Sequence, residues 1–232
     1  MQRASLAWLV HLYTAGSAVL GAYALLAVFA GDFRRAWLLL AITIVIDSTD
    51  GWLARSFNVK AVLPYFDGRR LDDIVDYLCW VFIPALLLVR AGILPAWAAV
   101  APILASCYGF AQVAAKTDDD FFLGFPSYWS IVGFFLYEFA VPQSIAVPVI
   151  LALSVLVFVP LRYPYPTRTR AFRSLTLALA LPWSALGLAL ILALPNRPAW
   201  APLLYYYPLY YTVLTIVLWF RRRATPACVR SV

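Results

Sequence analysis

Eight stretches of this sequence are apolar over most or all of the length a helix needs to cross a bilayer: residues 6–29, 36–55, 71–90, 93–115, 128–143, 145–162, 174–194 and 203–220. Crossing the ~30 Å hydrocarbon core takes roughly 20 mostly apolar residues. The expected fold is therefore all-α, a polytopic integral membrane bundle of about eight helices. It forms a single membrane-embedded domain over residues 1–232, with a short basic tail at 221–232. Hydrophobic residues make up 64% of the chain and charged residues 12%, with a mean hydropathy of +0.83. A soluble domain of this length would need far more polar surface. Only Arg3 precedes the first span, whose apolar run is too long for a signal-peptide core, so it reads as a membrane helix.

The net charge of +7 does not point to nucleic acid, because no aromatic–basic stripe or soluble fold accompanies it. With the N-terminus in the cytoplasm, fourteen Lys and Arg residues fall on the cytoplasmic side and four (Arg34, Arg35, Arg90 and Arg197) on the other. The positive-inside rule selects this topology, with both termini cytoplasmic. The YYYPLYY run at 205–211 reads as an interfacial aromatic belt. RRRATPACVRSV after the last span reads as a basic tail beside anionic headgroups. Cys79, Cys107 and Cys228 are scattered and odd in number, which suggests neither a disulfide framework nor a zinc site. His11 is the only histidine, so most histidine-based catalysis is excluded.

Within this apolar background, residues 47–76 hold six of the ten aspartates. Asp47 and Asp50 are three apart and share a helix face; Asp72 and Asp76 are four apart and do the same. Asp73 is rotated away, and Asp67 lies in the loop with Pro64 and Gly68. Spans joined by a short loop pack antiparallel, so the two pairs converge just inside the cytoplasmic face. A carboxylate at membrane depth costs roughly 2.5–3.5 kcal/mol, and several together repel unless protons or cations neutralise them. A solvated loop cluster accounts for Asp67 and Asp73 but not for Asp47, which follows the apolar run AWLLLAITIVI. Oxygen ligands without His or Cys select Mg²⁺ or Mn²⁺. Two such ions can clamp both oxygens of a displacement at phosphorus. Gly51 and Ala54 remove bulk beside the carboxylates, and Arg55 offers a fork suited to phosphate.

The pattern D-x-x-D-G-x-x-A-R … G-x-x-x-D-x-x-x-D, carried by Asp47, Asp50, Gly51, Ala54, Arg55, Gly68, Asp72 and Asp76, resembles the signature of the CDP-alcohol phosphotransferases. Twelve residues separate Arg55 from Gly68, and this long spacer is similar to that of the bacterial phosphatidylcholine synthases. VHLYTAGSA, VKAVLP and AKTDDDFFLGFPSYWSIVGF also resemble that group. The resemblance implies metal ligation by Asp47, Asp50, Asp72 and Asp76, with Asp76 also the general base. It implies contact of Asp50, Gly51, Ala54, Arg55 and Gly68 with the CDP and diphosphate. The implied reaction is phosphatidyl transfer from CDP-diacylglycerol to choline, giving phosphatidylcholine and CMP. A homodimer in a bacterial inner membrane, with two Mn²⁺ or Mg²⁺ ions and its site open to the cytoplasm, is the implied setting.

Choline carries a quaternary ammonium with no N–H, a group that aromatic faces and carboxylates bind. Tyr128, Trp129, Tyr137 and Glu138, the only glutamate, are the residues expected to serve it. Bundle packing accounts for the same residues equally well. Lys116 and Asp118–Asp120 read as a solvated loop, with Lys116 also able to steer the diphosphate. Transferases using serine, inositol or glycerol phosphate share the signature. A transporter also places acids in the membrane, but along a conduit rather than at one level beside small residues and an arginine.

Overall fold

The computed structural model describes residues 2–117 and 119–224. Asp118 and the end of the basic tail, residues 225–232, lie outside the described residues. The described residues are mostly helical, and the chain divides into two compact units, Met1–Gln112 with Ser127–Phe158, and Val113–Pro126 with Val159–Val232.

The first unit begins with two long helices, α1 (Gln2–Ala30) and α2 (Phe33–Ser56). Gly31, at φ +76°, ends α1 in the left-handed region. The Asp32 carboxylate then accepts from the Arg35 amide at 3.0 Å and caps α2. The buried face of α1 runs through Ala7, Val10, Thr14, Ser17, Gly21, Ala24 and Val28, while Leu9, Leu12, Val19, Leu26 and Phe29 point outward. Small and polar inside with large apolar outside inverts the pattern of a water-soluble helix and suits packing in lipid. The steps of three and four keep one seam toward the antiparallel α2. On α2 that seam continues through Ala36, Leu40 and Thr43 to Asp50.

The spacer after Arg55 forms a short helix, α3 (Val59–Val62), entered through Asn58 at φ +50°. Its Val59 and the following Leu63 bury against Ala7 and Val10 of α1, so the long spacer folds back under the first helix. Asp67 then caps α4 (Gly68–Asp76), accepting from the amides of Arg69 and Arg70. The helix continues through a π-helical turn, Tyr77–Phe82, into α5 (Ile83–Arg90). Pro84 has no N–H for the carbonyl four residues before it, and a widened turn is one way a helix accommodates that. The Ser130 hydroxyl donates to the Cys79 carbonyl within this turn at 2.8 Å.

Three shorter helices complete the unit: α6 (Ala96–Ala111), α7 (Trp129–Glu138) and α8 (Gln143–Leu156). Residues 128–143, expected as a full span, hold only the ten-residue α7, about 15 Å long. Left-handed residues bound it, Ser127 at φ +56° and Ala140 at φ +46°, and Pro142 follows.

The second unit contains α9 (Arg173–Ala193) and α10 (Tyr206–Ala224), with a 3₁₀ turn, Ala201–Tyr205, leading into α10. It also holds a small antiparallel ladder, β1 (Phe121–Leu123) against β2 (Arg162–Pro164). The loop expected to be merely solvated is thus partly ordered, with Arg162 donating to Asp119 at 3.1 Å. Phe121 buries against Leu214 and Leu218 of α10, and Tyr211 donates to the Pro164 carbonyl at 2.8 Å. The tyrosine run, expected as an interfacial belt, ties α9 to α10: Tyr206 donates to the Leu179 carbonyl and Tyr210 shares a hydrogen bond with Thr176.

Among the described residues four helical segments are long and apolar enough to cross a membrane, Gln2–Ala30, Phe33–Ser56, Arg173–Ala193 and Ala201–Arg221. With the shorter apolar helices they make a multi-pass, all-α membrane protein.

Candidate active site

The α1–α2 seam and the start of the third span meet in a small pocket within the first unit. Asp47 and Asp50 enter from α2, and Asp72 and Asp76 from α4. One oxygen from each of Asp47, Asp50 and Asp72 lies within 4.8 Å of the others. Helical spacing explains why each pair shares a face. The folded-back spacer explains why the two helices bring their pairs to one level.

Thr14, Ser17 and Thr43 add hydroxyl-bearing side chains to the lining. Thr14 Oγ1 donates to Asp50 Oδ2 at 2.8 Å, which fixes that carboxylate in the seam. Cys79 also lines the pocket, its Sγ 3.4 Å from the Ser17 carbonyl oxygen. Trp80 closes one wall. The converging carboxylates and hydroxyls are hard donors, and no imidazole lines the pocket. The one soft group, the Cys79 thiol, is engaged with the Ser17 carbonyl. This set fits Mg²⁺ or Mn²⁺ rather than zinc.

Other signature residues have distinct placements. A Cβ on Gly51 would stand 3.3 Å from Arg55 Nη1, so the missing side chain leaves room for the guanidinium. Ala54 packs against the α1–α3 cluster of Ala7, Val10, Val59 and Leu63. Gly68 lies under the His11 ring, where a Cβ would come within 2.6 Å of Cε1. His11 itself is 7% exposed and stacks near Phe66, with ring centroids 4.4 Å apart. Asp67 and Asp73 stay out of the cluster. Asp67 caps α4 and pairs with Arg70, while Asp73 lies 4.0 Å from Arg69.

The four residues considered for choline separate. Tyr128 stands beside Trp80, ring centroids 5.9 Å apart, and so reaches the pocket wall. Trp129 is turned into the helix packing, donating to Ser106 Oγ at 2.7 Å. Tyr137 packs on Phe33 and Trp37 at the start of α2, about 15–20 Å along that helix from Asp47. Glu138 follows it and is buried.

Proteins of assigned activity supply the deciding comparison. The phosphatidylcholine synthase of Rhizobium johnstonii is 33% identical over 203 residues, 86% of this chain and 84% of that protein. Those of Legionella pneumophila and Pseudomonas aeruginosa are 45% and 36% identical, over 68% of this chain in each case. The chain belongs to the phosphatidylcholine synthase family. The match spans 64% of the Legionella protein's length and 68% of the Pseudomonas protein's. No protein-family model matches the chain. Membership of the phosphatidylcholine synthase family agrees with the CDP-alcohol phosphotransferase signature over residues 47–76.

Sequence reasoning did not find Thr14, Ser17, Thr43 or Trp80. Thr14 and Ser17 lie in VHLYTAGSA, one of the stretches that resembles the family. Their three-residue spacing on one face of an apolar helix was the available signal. Trp80 follows Asp76 by four residues on the same helical face.

Proposed function

We propose that the chain transfers the phosphatidyl group of CDP-diacylglycerol to choline at the four-aspartate pocket, releasing CMP to the cytoplasm. The carrying observation is the convergence of the Asp47, Asp50 and Asp72 oxygens within 4.8 Å in a chain of this family. Asp47, Asp50 and Asp72 hold the divalent ions, and Asp76 completes their wall. When bound, Mg²⁺ or Mn²⁺ supplies the positive charge that neutralises the diphosphate and stabilises the departing CMP.

The chain's own groups then have defined work. The carboxylate of Asp76 takes the proton from the choline hydroxyl. The choline oxygen forms a new bond to the phosphorus bearing diacylglycerol, and the bond to the bridging oxygen breaks. CMP leaves with that electron pair. Arg55, exposed beside Gly51, offers its guanidinium to the diphosphate. The exposed large apolar side chains of α1 keep the unit in lipid, where both donor and product reside. The basic-residue asymmetry supports both termini and the pocket facing the cytoplasm, and the family resemblance alone supports a homodimer in the inner membrane.

The test is to incubate purified protein in mixed micelles with CDP-diacylglycerol and, separately, choline, serine, inositol and glycerol phosphate. Phosphatidylcholine and CMP should appear in equal amounts with choline only. EDTA should stop the reaction, and added Mn²⁺ or Mg²⁺ should restore it. CMP release with another alcohol and not with choline replaces the acceptor. Turnover indifferent to EDTA removes the metal site.

A further inference from the structure

We infer that Trp80, backed by Tyr128, is the surface that holds the quaternary ammonium of choline and so sets acceptor specificity. The inference rests on choline being the acceptor. Choline must present its hydroxyl to Asp76 while its trimethylammonium, which has no N–H, finds an electron-rich face. Indole is the best side chain for this purpose. Trp80 is the one aromatic residue among those lining the pocket. It follows Asp76 by four residues, about one helical turn, and both residues line the same pocket. A proton acceptor and an aromatic face in one pocket suit an alcohol that carries its ammonium two carbons from its oxygen.

The local structure fixes the ring in place. Trp80 sits inside the π-helical turn Tyr77–Phe82, just before Pro84, and Ser130 holds the neighbouring Cys79 carbonyl. Tyr128 lies behind it, with ring centroids 5.9 Å apart and planes inclined at 47°. The residues flanking Tyr128 are locked by one buried hydroxyl. Ser106 Oγ is 2.9 Å from Ser127 Oγ and accepts from Trp129 Nε1 at 2.7 Å. Ser127 adopts a left-handed φ of +56°, which a side chain tolerates only where its surroundings hold it. These contacts restrain the backbone on both sides of Tyr128. A preorganised wall of this kind binds a cation without first ordering its own side chains. Glu138, by contrast, is buried at the C-terminal end of α7 and is not among the residues lining the pocket.

The experiment uses the full chain, purified, with Trp80→Phe, Trp80→Leu and Tyr128→Leu beside the unaltered protein. KM is measured for choline and for CDP-diacylglycerol, and acceptor preference across choline, dimethylethanolamine and ethanolamine. Trp80→Leu should raise the choline KM about tenfold or more and flatten the preference for the fully methylated acceptor. Trp80→Phe should fall between, and the CDP-diacylglycerol KM should stay within about twofold, as that substrate occupies the carboxylates. If Trp80→Leu does not fold, Trp80→Phe and Tyr128→Leu carry the same comparison. Unchanged choline KM and methyl preference in the folded variants overturns the inference. So does a parallel rise in both KM values, which assigns Trp80 to packing. A choline-specific loss in Glu138→Gln but not in the Trp80 variants moves the ammonium to Glu138. Absence of any choline turnover in the unaltered protein is a different failure, because it removes the acceptor itself.

Discussion

Thr14 on α1 donates its hydroxyl to Asp50 on α2 at 2.8 Å, and both residues are 7% exposed. The bond spans the helix seam and leaves Asp50 one orientation among its neighbours. A carboxylate that ligates a metal is usually oriented by such a partner, whose loss costs about 10–100-fold in metal affinity. Thr14→Val keeps the shape and removes the donor. Mn²⁺ titration of the purified protein, followed by the electron paramagnetic resonance of the free ion, should show an affinity loss of that order. Thr14→Ser should restore most of it. Equal affinity in Thr14→Val and the unaltered protein would reduce the bond to helix packing.

Asp76 calls for a kinetic separation. Asp76→Asn preserves volume but cannot accept the hydroxyl proton, and general-base assistance contributes typically ~10²–10⁴-fold. The kcat should fall within or beyond that range while the dissociation constant for CDP-diacylglycerol changes far less. Asp47→Ala, Asp50→Ala and Asp72→Ala should instead lose turnover together with Mn²⁺ binding. A fall in donor affinity as large as the fall in kcat for Asp76→Asn would make that residue a ligand and no more.

The contrast between these residues shows what was legible in the sequence. The aspartate pairs could be read because ligation needs one face, and helical spacing writes a face into the sequence at three and four residues. The role of Thr14 has no such record. Its partner is thirty-six positions away, and a buried hydroxyl in an apolar helix has many uses. Trp80 was hidden differently, since its value depends on the pocket wall that Asp76 shares with it and on Tyr128, distant in sequence, at the entrance to α7. Apolar content located the long helices but overstated 128–143, where left-handed Ser127 and Ala140 cut α7 short. Three-residue strands such as β1 and β2 lie below any periodicity that a sequence can display.

Asp67 lies outside the carboxylate cluster and has a structural job. It accepts from the amides of Arg69 and Arg70 at 3.1 and 3.3 Å and so caps the helix that carries Asp72 and Asp76. Asp67→Ala should cost about 1 kcal/mol of stability, read as a lower Tm in detergent. Asp67→Ser, which can also cap, should cost less. Metal affinity should change little in either variant if Asp67 serves the helix end alone.

Gly68 is the signature residue whose structural reason is most specific. Its Cα faces the His11 ring, and an added Cβ would lie 2.6 Å from Cε1 and 3.2 Å from Nδ1. Such distances cannot persist, so Gly68→Ala must displace either the imidazole or the first turn of α4. The ring is confined by Trp8 and Phe66, with centroids 5.9 and 4.4 Å away, and cannot swing freely. Overpacking of this kind costs typically about 1–3 kcal/mol. Because α4 carries Asp72 and Asp76, activity should fall with stability. His11→Ala removes the obstructing ring. In the double variant His11→Ala with Gly68→Ala, the penalty of the alanine at 68 should largely vanish, a coupling of the kind contacting residues show in a double-mutant cycle. Tm and choline turnover measured on all four proteins decide the point. If the two losses simply add, Gly68 is required for something other than room for His11, and close approach of the CDP backbone to its Cα becomes the better account.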